Sequence, residues 1–179
     1  MQKYIAFLRG INISGKNKIP MADLKRGFAE LGYTNVATYL NSGNVVFETQ
    51  QEEKTVKSDI ERMISEKFGC DIPVYIIRKE ALERIVSNAP AWWGTEDKNK
   101  YDNLILILSG ETAEEIAGLI GDVSDGLEQI QIFEHVIFWT FDRKAYSKCN
   151  WWKKTASAPI ADKLTIRTAG TVKKCCCFK

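Results

Sequence analysis

The sequence has a single histidine, His135, and only four prolines and five cysteines in 179 residues. No apolar run approaches the roughly 20 residues a bilayer-spanning helix needs. The cysteines are Cys70, Cys149 and the run Cys175-Cys176-Cys177. Neighbouring cysteines are poorly placed to bond each other, because disulfide geometry is strict. There is no CxxC pair and no second histidine to complete a zinc set, so a structural metal site is not expected. The opening residues, Met1-Gln2-Lys3-Tyr4-Ile5, lack the apolar stretch and small-residue site of a secretory signal. A cytoplasmic chain with reduced thiols, no membrane segment and no cofactor is the expectation. Acids are missing from both ends. Residues 1–20 hold Lys3, Arg9, Lys16 and Lys18 without one, and from Arg143 onward there are ten Lys or Arg against Asp162 alone.

The remaining stretch, 21–142, carries 11 of the 25 bases and 22 of the 23 acids, although the net charge is only +2. If the ends meet in the fold they form a basic face that attracts anions. If they do not, the charges scatter over the surface. The apolar fraction, 45%, is enough for a sizeable core, and 27% charged residues is ordinary for a globular chain.

Periodicity divides the chain into elements. Residues 3–9 read as a strand apolar on both faces. A polar loop, 10–19, follows. Pro20 suits a first helical turn, Met21, Leu24, Phe28 and Leu31 recur at helical spacing, and Gly32 stops the helix. Strands over 35–40 and 45–48 flank the turn Asn41-Ser42-Gly43-Asn44. Val56, Ile60, Met63, Ile64 and Phe68 mark a second helix ended by Gly69, and 72–77 is a fourth strand. The same order returns after a connecting helix, 79–89. A strand at 104–108 precedes a helix carrying Ile116, Leu119 and Ile120, stopped by Gly121. Strands 127–133 and 136–141 flank Glu134-His135, and Ala145, Cys149, Trp152 and Ala156 share a helical face. A strand at 163–168 and a short helix from Thr171 close the chain. The expected class is α+β, with two ferredoxin-like (βαββαβ) repeats at 1–78 and 101–179 joined by a helix and loop at 79–100. In such a unit strands one and two run parallel with strand three between them, so loop 10–19 and turn 41–44 belong at the same end. A first strand apolar on both faces requires its sheet to be covered on both sides, most simply by the partner repeat.

The letters of the first repeat are distinctive: Leu8-Arg9-Gly10-Ile11-Asn12, Gly15-Lys16-Asn17-Lys18, Met21 and Ser42-Gly43-Asn44-Val45-Val46-Phe47. Over residues 3–78 this resembles the bacterial domain-of-unknown-function family 1697. The resemblance implies paired ferredoxin-like repeats and brings no established activity. The family's C-terminal pattern is similar to Thr-x-Arg-Asn-x-x-Thr. Thr165, Arg167 and Thr171 fit it here, but Thr168 stands where the Asn would be.

Gly10 to Lys16 fits GxxxxGK, yet a phosphate-cradling NTPase loop also needs a hydroxyl next and a helix starting at once. Asn17 and the delay to Pro20 meet neither need. A looser anion site fits better. Arg9 bonds an oxyanion in a fork, Lys16 and Lys18 add charge, and Asn12, Ser42 and Asn44 add neutral donors. The competing reading is that Asn12, Ser42 and Asn44 bond turn backbones. His135 reads as a hairpin residue, with general-base work as the alternative. Val172, Cys175 and Cys176 share a helical face and read as packing side chains. In each of Trp92-Trp93 and Trp151-Trp152 one ring reads as core and the other as rim, with base stacking beside Lys153-Lys154 as the alternative. Strand 44–48 lacks the basic-aromatic motif of an RNA-recognition domain. The function expected is a binding module for a phosphate- or carboxylate-bearing small molecule or a nucleic acid, gripped where loop 10–18 meets hairpin 41–44. An enzyme acting on a small anionic metabolite at that place is the alternative.

Overall fold

A computed structural model describes every residue from Met1 to Lys179. The chain divides into two compact units, Met1–Arg84 with Lys174–Lys179, and Ile85–Lys173. The first unit runs β1 (Gln2–Leu8), α1 (Met21–Glu30), β2 (Thr34–Tyr39), β3 (Asn44–Thr49), α2 (Glu53–Phe68) and β4 (Val74–Arg78). Helix α3 (Lys79–Ser87) follows. Its sheet has the order β2-β3-β1-β4, and every neighbouring pair is antiparallel. Strands β1 and β2 both oppose β3, so they run parallel to one another, and their carboxyl ends share one end of the sheet. Phe7 pairs with Asn44 across β1–β3, and Tyr39 pairs with Asn44 across β2–β3.

Period-2 alternation sends Tyr4, Ala6 and Leu8 of β1 toward the helices. There they pack with Val45 and Phe47 of β3, Leu24 and Phe28 of α1, and Val56, Ile60 and Ile64 of α2. Phe47 is the centre of an aromatic cluster, 4.9 Å from the Tyr33 ring, 5.2 Å from Phe28 and 5.9 Å from Tyr4. The intervening residues Ile5 and Phe7 are fully buried as well, so both faces of β1 are dry, as its unbroken apolar run requires. Gly69 ends α2 in the left-handed region at φ 66°, donating its N–H to Ser65 O.

The second unit repeats the plan with β5 (Lys100–Ile107), α4 (Ala113–Ile120), β6 (Glu128–Phe133), β7 (Val136–Asp142), α5 (Asn150–Thr155) and β8 (Leu164–Thr168), in the order β6-β7-β5-β8. All its neighbouring strands are antiparallel, so the chain holds two four-stranded antiparallel sheets with helices, an α+β fold of two similar units. Helix α4 starts at a capping box, Thr112 accepting from Glu115 N while Glu115 accepts from Thr112 N. Ile105, Ile137, Trp139 and Phe141 pack with Ala113, Ile116 and Ile120 of α4 and Trp151 of α5. Trp93 packs edge-to-face on Phe138, 5.1 Å between centroids, and donates Nε1–H to Asn103 O at 2.7 Å. A short C-terminal helix, α6 (Ala169–Cys176), buries Val172 and Cys175. No helix is long and apolar enough to cross a membrane.

One stretch departs from its periodicity. Ala145, Cys149, Trp152 and Ala156 do not line one helical face. A 3-10 turn, Tyr146–Lys148, stops at Cys149, which is extended at φ −80° and ψ 125°, and α5 starts afresh. The buried residues there are Cys149, Trp151 and Thr155, while Trp152 is exposed. The cause is long-range: the Glu128 carboxylate accepts the N–H groups of Trp151 and Trp152 and sets where the helix begins.

Candidate functional site

The loop after β1 is a small structure of its own. Asn12 N donates to Asn17 O at 3.1 Å and Lys16 N to Ile13 O at 2.9 Å, forming a miniature hairpin. Its two tip residues, Ser14 and Gly15, have φ 50° and 77°, the signature of a type I′ turn. Five of the eight residues from 10 to 17 are left-handed: Gly10, Asn12, Ser14, Gly15 and Asn17. Ladder geometry therefore continues beyond Lys16 where a phosphate-cradling loop would turn into helix, and α1 begins only at Met21.

Asn12 is the clamp of this loop. Its Oδ1 accepts from Ile19 N at 2.8 Å, and its Nδ2 donates to Ile19 O at 2.9 Å and to Asn41 O at 2.8 Å. One amide thus pairs with a backbone as a strand would, and the third bond reaches the β2–β3 turn 29 residues away. Leu8 N completes the joint by donating to Gly43 O at 2.9 Å. Gly43 is buried at φ 82°, and a Cβ there would sit 2.8 Å from both Leu8 Cβ and Ile11 Cδ1. The closeness of this contact leaves room only for glycine. Loop 10–19 and turn 41–44 are therefore one corner of the molecule.

The six residues singled out in the sequence divide by role within that corner. Asn44 is fully buried, its Nδ2 donating to Tyr39 O at 2.8 Å and to Ser42 Oγ at 3.0 Å. Asn12 and Asn44 so commit their amide hydrogens to backbone and neighbour, and serve to hold the corner. Ser42, Lys16 and Lys18 are exposed, and Arg9 is half-buried with its backbone N–H on Pro73 O. The nearest acid along the chain, Asp23, is engaged by Arg26 at 2.6 Å. Lys3, by contrast, is taken up at 2.9 Å by Glu48, whose carboxyl is held below its usual range by hydrogen bonds from Lys3 and then Asn35.

Two contributors were not singled out by sequence. Asn17 donates Nδ2–H to Gly10 O at 3.0 Å and closes the loop from inside; the signal was an Asn between two lysines in a glycine-flanked stretch. The C-terminal tail is the other. Phe178 stacks edge-on against Tyr39, 6.3 Å between centroids, and the Lys174 ammonium lies 5.9 Å from the Phe178 ring. Tyr39 directly precedes the 40–43 turn, so a basic stretch from the far end of the sequence reaches the strand that enters this corner. In the second unit, Arg167 is buried and donates Nη1–H to Thr165 Oγ1 at 2.9 Å. Thr168 Oγ1 accepts from Thr171 N at 3.3 Å and so caps the start of α6. His135 occupies the exposed β6–β7 turn beside Glu134. A cleft of about 680 Å³ in this unit is lined by Trp92, Asp97, Lys100 and Thr140 among others, and none of the six residues lines it.

Residues 1–138 match the family described as protein of unknown function (DUF1697). A conserved bacterial protein of solved structure, SP0830 from Streptococcus pneumoniae, is similar over 98% of this chain and 97% of its own, with 27% identity and a TM-score of 0.84. An unknown protein from Galdieria sulphuraria aligns over 93% of this chain and 96% of its own at 10% identity, with a TM-score of 0.28. Comparison with curated proteins finds no match.

Proposed function

This chain belongs to the family of proteins of unknown function DUF1697, and from that premise we propose that it is a binding module for an anionic ligand bearing phosphate or carboxylate groups. The ligand sits at the corner where loop 10–18 meets turn 41–44, with Lys16 and Lys18 as the charged contacts, Arg9 as the fork and Ser42 as a hydroxyl donor. The observation that carries the reading is the Asn12 clamp. Three hydrogen bonds from one side chain, with Leu8 N on Gly43 O, hold a loop bearing exposed lysines in a defined place against a second turn. A preorganised loop on a rigid sheet is where binding residues concentrate, and left-handed backbone at Asn12, Ser14 and Asn17 is strain of the kind that accumulates at ligand clamps. Asn12 and Asn44 act as positioning residues in this proposal.

Thermal-shift titrations with inorganic phosphate, pyrophosphate and citrate, anions without a base, test it. A ligand at 100 times its Kd adds about 2.7 kcal/mol, or roughly 5–10 °C for a chain of this size. Lys16→Ala/Lys18→Ala removes that gain and leaves the ligand-free midpoint unchanged. A gain that survives in the double variant, or none from any of these anions, contradicts the proposal.

A further inference from the structure

Of the 19 Phe, Trp and Tyr side chains, two stand more than a third exposed: Tyr146 at 44% and Trp152 at 37%. They touch each other, edge to face, with ring centroids 4.8 Å apart. Such rings are normally buried or rimmed by apolar neighbours. These two lie in the longest stretch of the second unit that has bases and no acids. From Arg143 to Ala161 there are five Lys or Arg and no Asp or Glu. Lys144, Lys148, Lys153 and Lys154 are all exposed, and Arg143 lies 4.7 Å over the Tyr101 ring.

The backbone that carries Trp152 is tied down by hydrogen bonds. Glu128 accepts from Trp151 N and Trp152 N, each at 3.2 Å. Ser124 Oγ accepts from Asn150 N at 2.9 Å and donates to Lys148 O at 3.1 Å. Asn150 donates Nδ2–H to Asp122 O at 2.7 Å, and Trp151 donates Nε1–H to Gly121 O at 2.9 Å. Two of the nearby carboxylates are committed to this framework. Glu128 caps α5, and Asp142 accepts from Ala145 N and then Lys144 N, which holds its carboxyl below the usual range. The four lysines and the two rings stand exposed along this stretch.

We infer that this patch is a stacking platform for single-stranded nucleic acid, with a base on Trp152 and Tyr146 and the phosphates on Lys144, Lys148, Lys153 and Lys154. Two features select that occupant over other polyanions: exposed aromatic rings on which any base can stack, and four exposed lysines that flank them along the chain. It is independent of the lysine corner in the first unit, and variants of one site leave the other intact.

Fluorescence anisotropy with a labelled mixed-sequence single-stranded 12-nucleotide RNA tests the inference, with a duplex of the same length and heparin as comparators. The single strand binds more tightly than the duplex. Trp152→Ala weakens it roughly 5- to 150-fold, Trp152→Phe restores most of the affinity, and heparin binding is unchanged by either. Lys153→Gln/Lys154→Gln lowers the slope of log K against log salt by about 1.4, two phosphates at 0.7 each. Lys16→Ala/Lys18→Ala leaves the RNA affinity as it was. Equal loss of RNA and heparin in Trp152→Ala, equal binding of duplex and single strand, or no binding at low salt overturns the inference.

Discussion

Replacing Gly43 with alanine tests whether the two turns of the first unit share one tightly fitted corner. Gly43 is at φ 82°, a region that costs a side-chain-bearing residue about 1–2 kcal/mol. The new Cβ would also lie 2.8 Å from Leu8 Cβ and from Ile11 Cδ1. Leu8 cannot step aside, because it is a buried β1 residue whose N–H is bonded to Gly43 O. Overpacking of this kind adds about 1–3 kcal/mol, for a total of roughly 2–5 kcal/mol. Gly10→Ala is the matched control. Its φ is 67° and nothing lies within 4 Å of the position a Cβ would take, so it pays the backbone cost alone. Both substitutions restrict the unfolded chain equally, and that contribution cancels in the difference. Urea unfolding of the two variants, with unchanged m-values, should place Gly43→Ala about 1–3 kcal/mol below Gly10→Ala. Equal losses would refute the packing argument and leave the corner as two loops that happen to lie close.

Asn12→Asp keeps the shape of the clamp and replaces both Nδ2 donations, to Ile19 O and Asn41 O, with a carboxylate facing carbonyl oxygens. A loss of about 2–4 kcal/mol in urea unfolding is expected, and a loss under 1 kcal/mol speaks against the clamp. Trp151→Phe and Trp139→Phe remove similar volumes from one core. Trp151 Nε1 bonds Gly121 O, whereas Trp139 Nε1 is buried without a partner. Trp151→Phe should therefore cost about 1–2 kcal/mol more in the same assay, and equal costs would contradict the bonding pattern. Glu111 is held at about 2 by hydrogen bonds, the one from Lys163 foremost. A lowered folded-state value means stability present above the ordinary carboxylate range and lost as pH falls from about 4.5 to 2. Glu111→Gln should flatten that part of the stability-against-pH curve, and an unchanged acid limb would count against the pair.

The order of elements is written in the spacing of apolar residues. Tyr4-to-Leu8 alternation, the Leu24–Phe28 stripe and the glycine stops at Gly32, Gly69 and Gly121 are local signals, and each sits where an element begins, ends or packs. The meeting of loop 10–19 with turn 41–44 also followed from local signals, because handedness leaves one arrangement for a βαββ unit. Side-chain roles were harder to read. Asn12 carries the same letter whether it faces a ligand or a backbone, and its partners Ile19 and Asn41 are set by the tertiary fold. The stretch 145–156 shows a helical spacing that its structure does not follow, because a carboxylate 23 residues upstream, Glu128, decides where α5 starts. The reach of Phe178 to Tyr39, at the other end of the chain, had no local signal at all.

An anion held by the lysine corner must perturb that corner and little else. Titrating isotopically labelled protein with pyrophosphate, followed by amide nuclear magnetic resonance, reads this residue by residue. Shifts concentrated at 9–18 and 41–44, saturating together and fading as salt rises, are the expected result. Saturating shifts that fall elsewhere, or none in those two segments, would contradict the account.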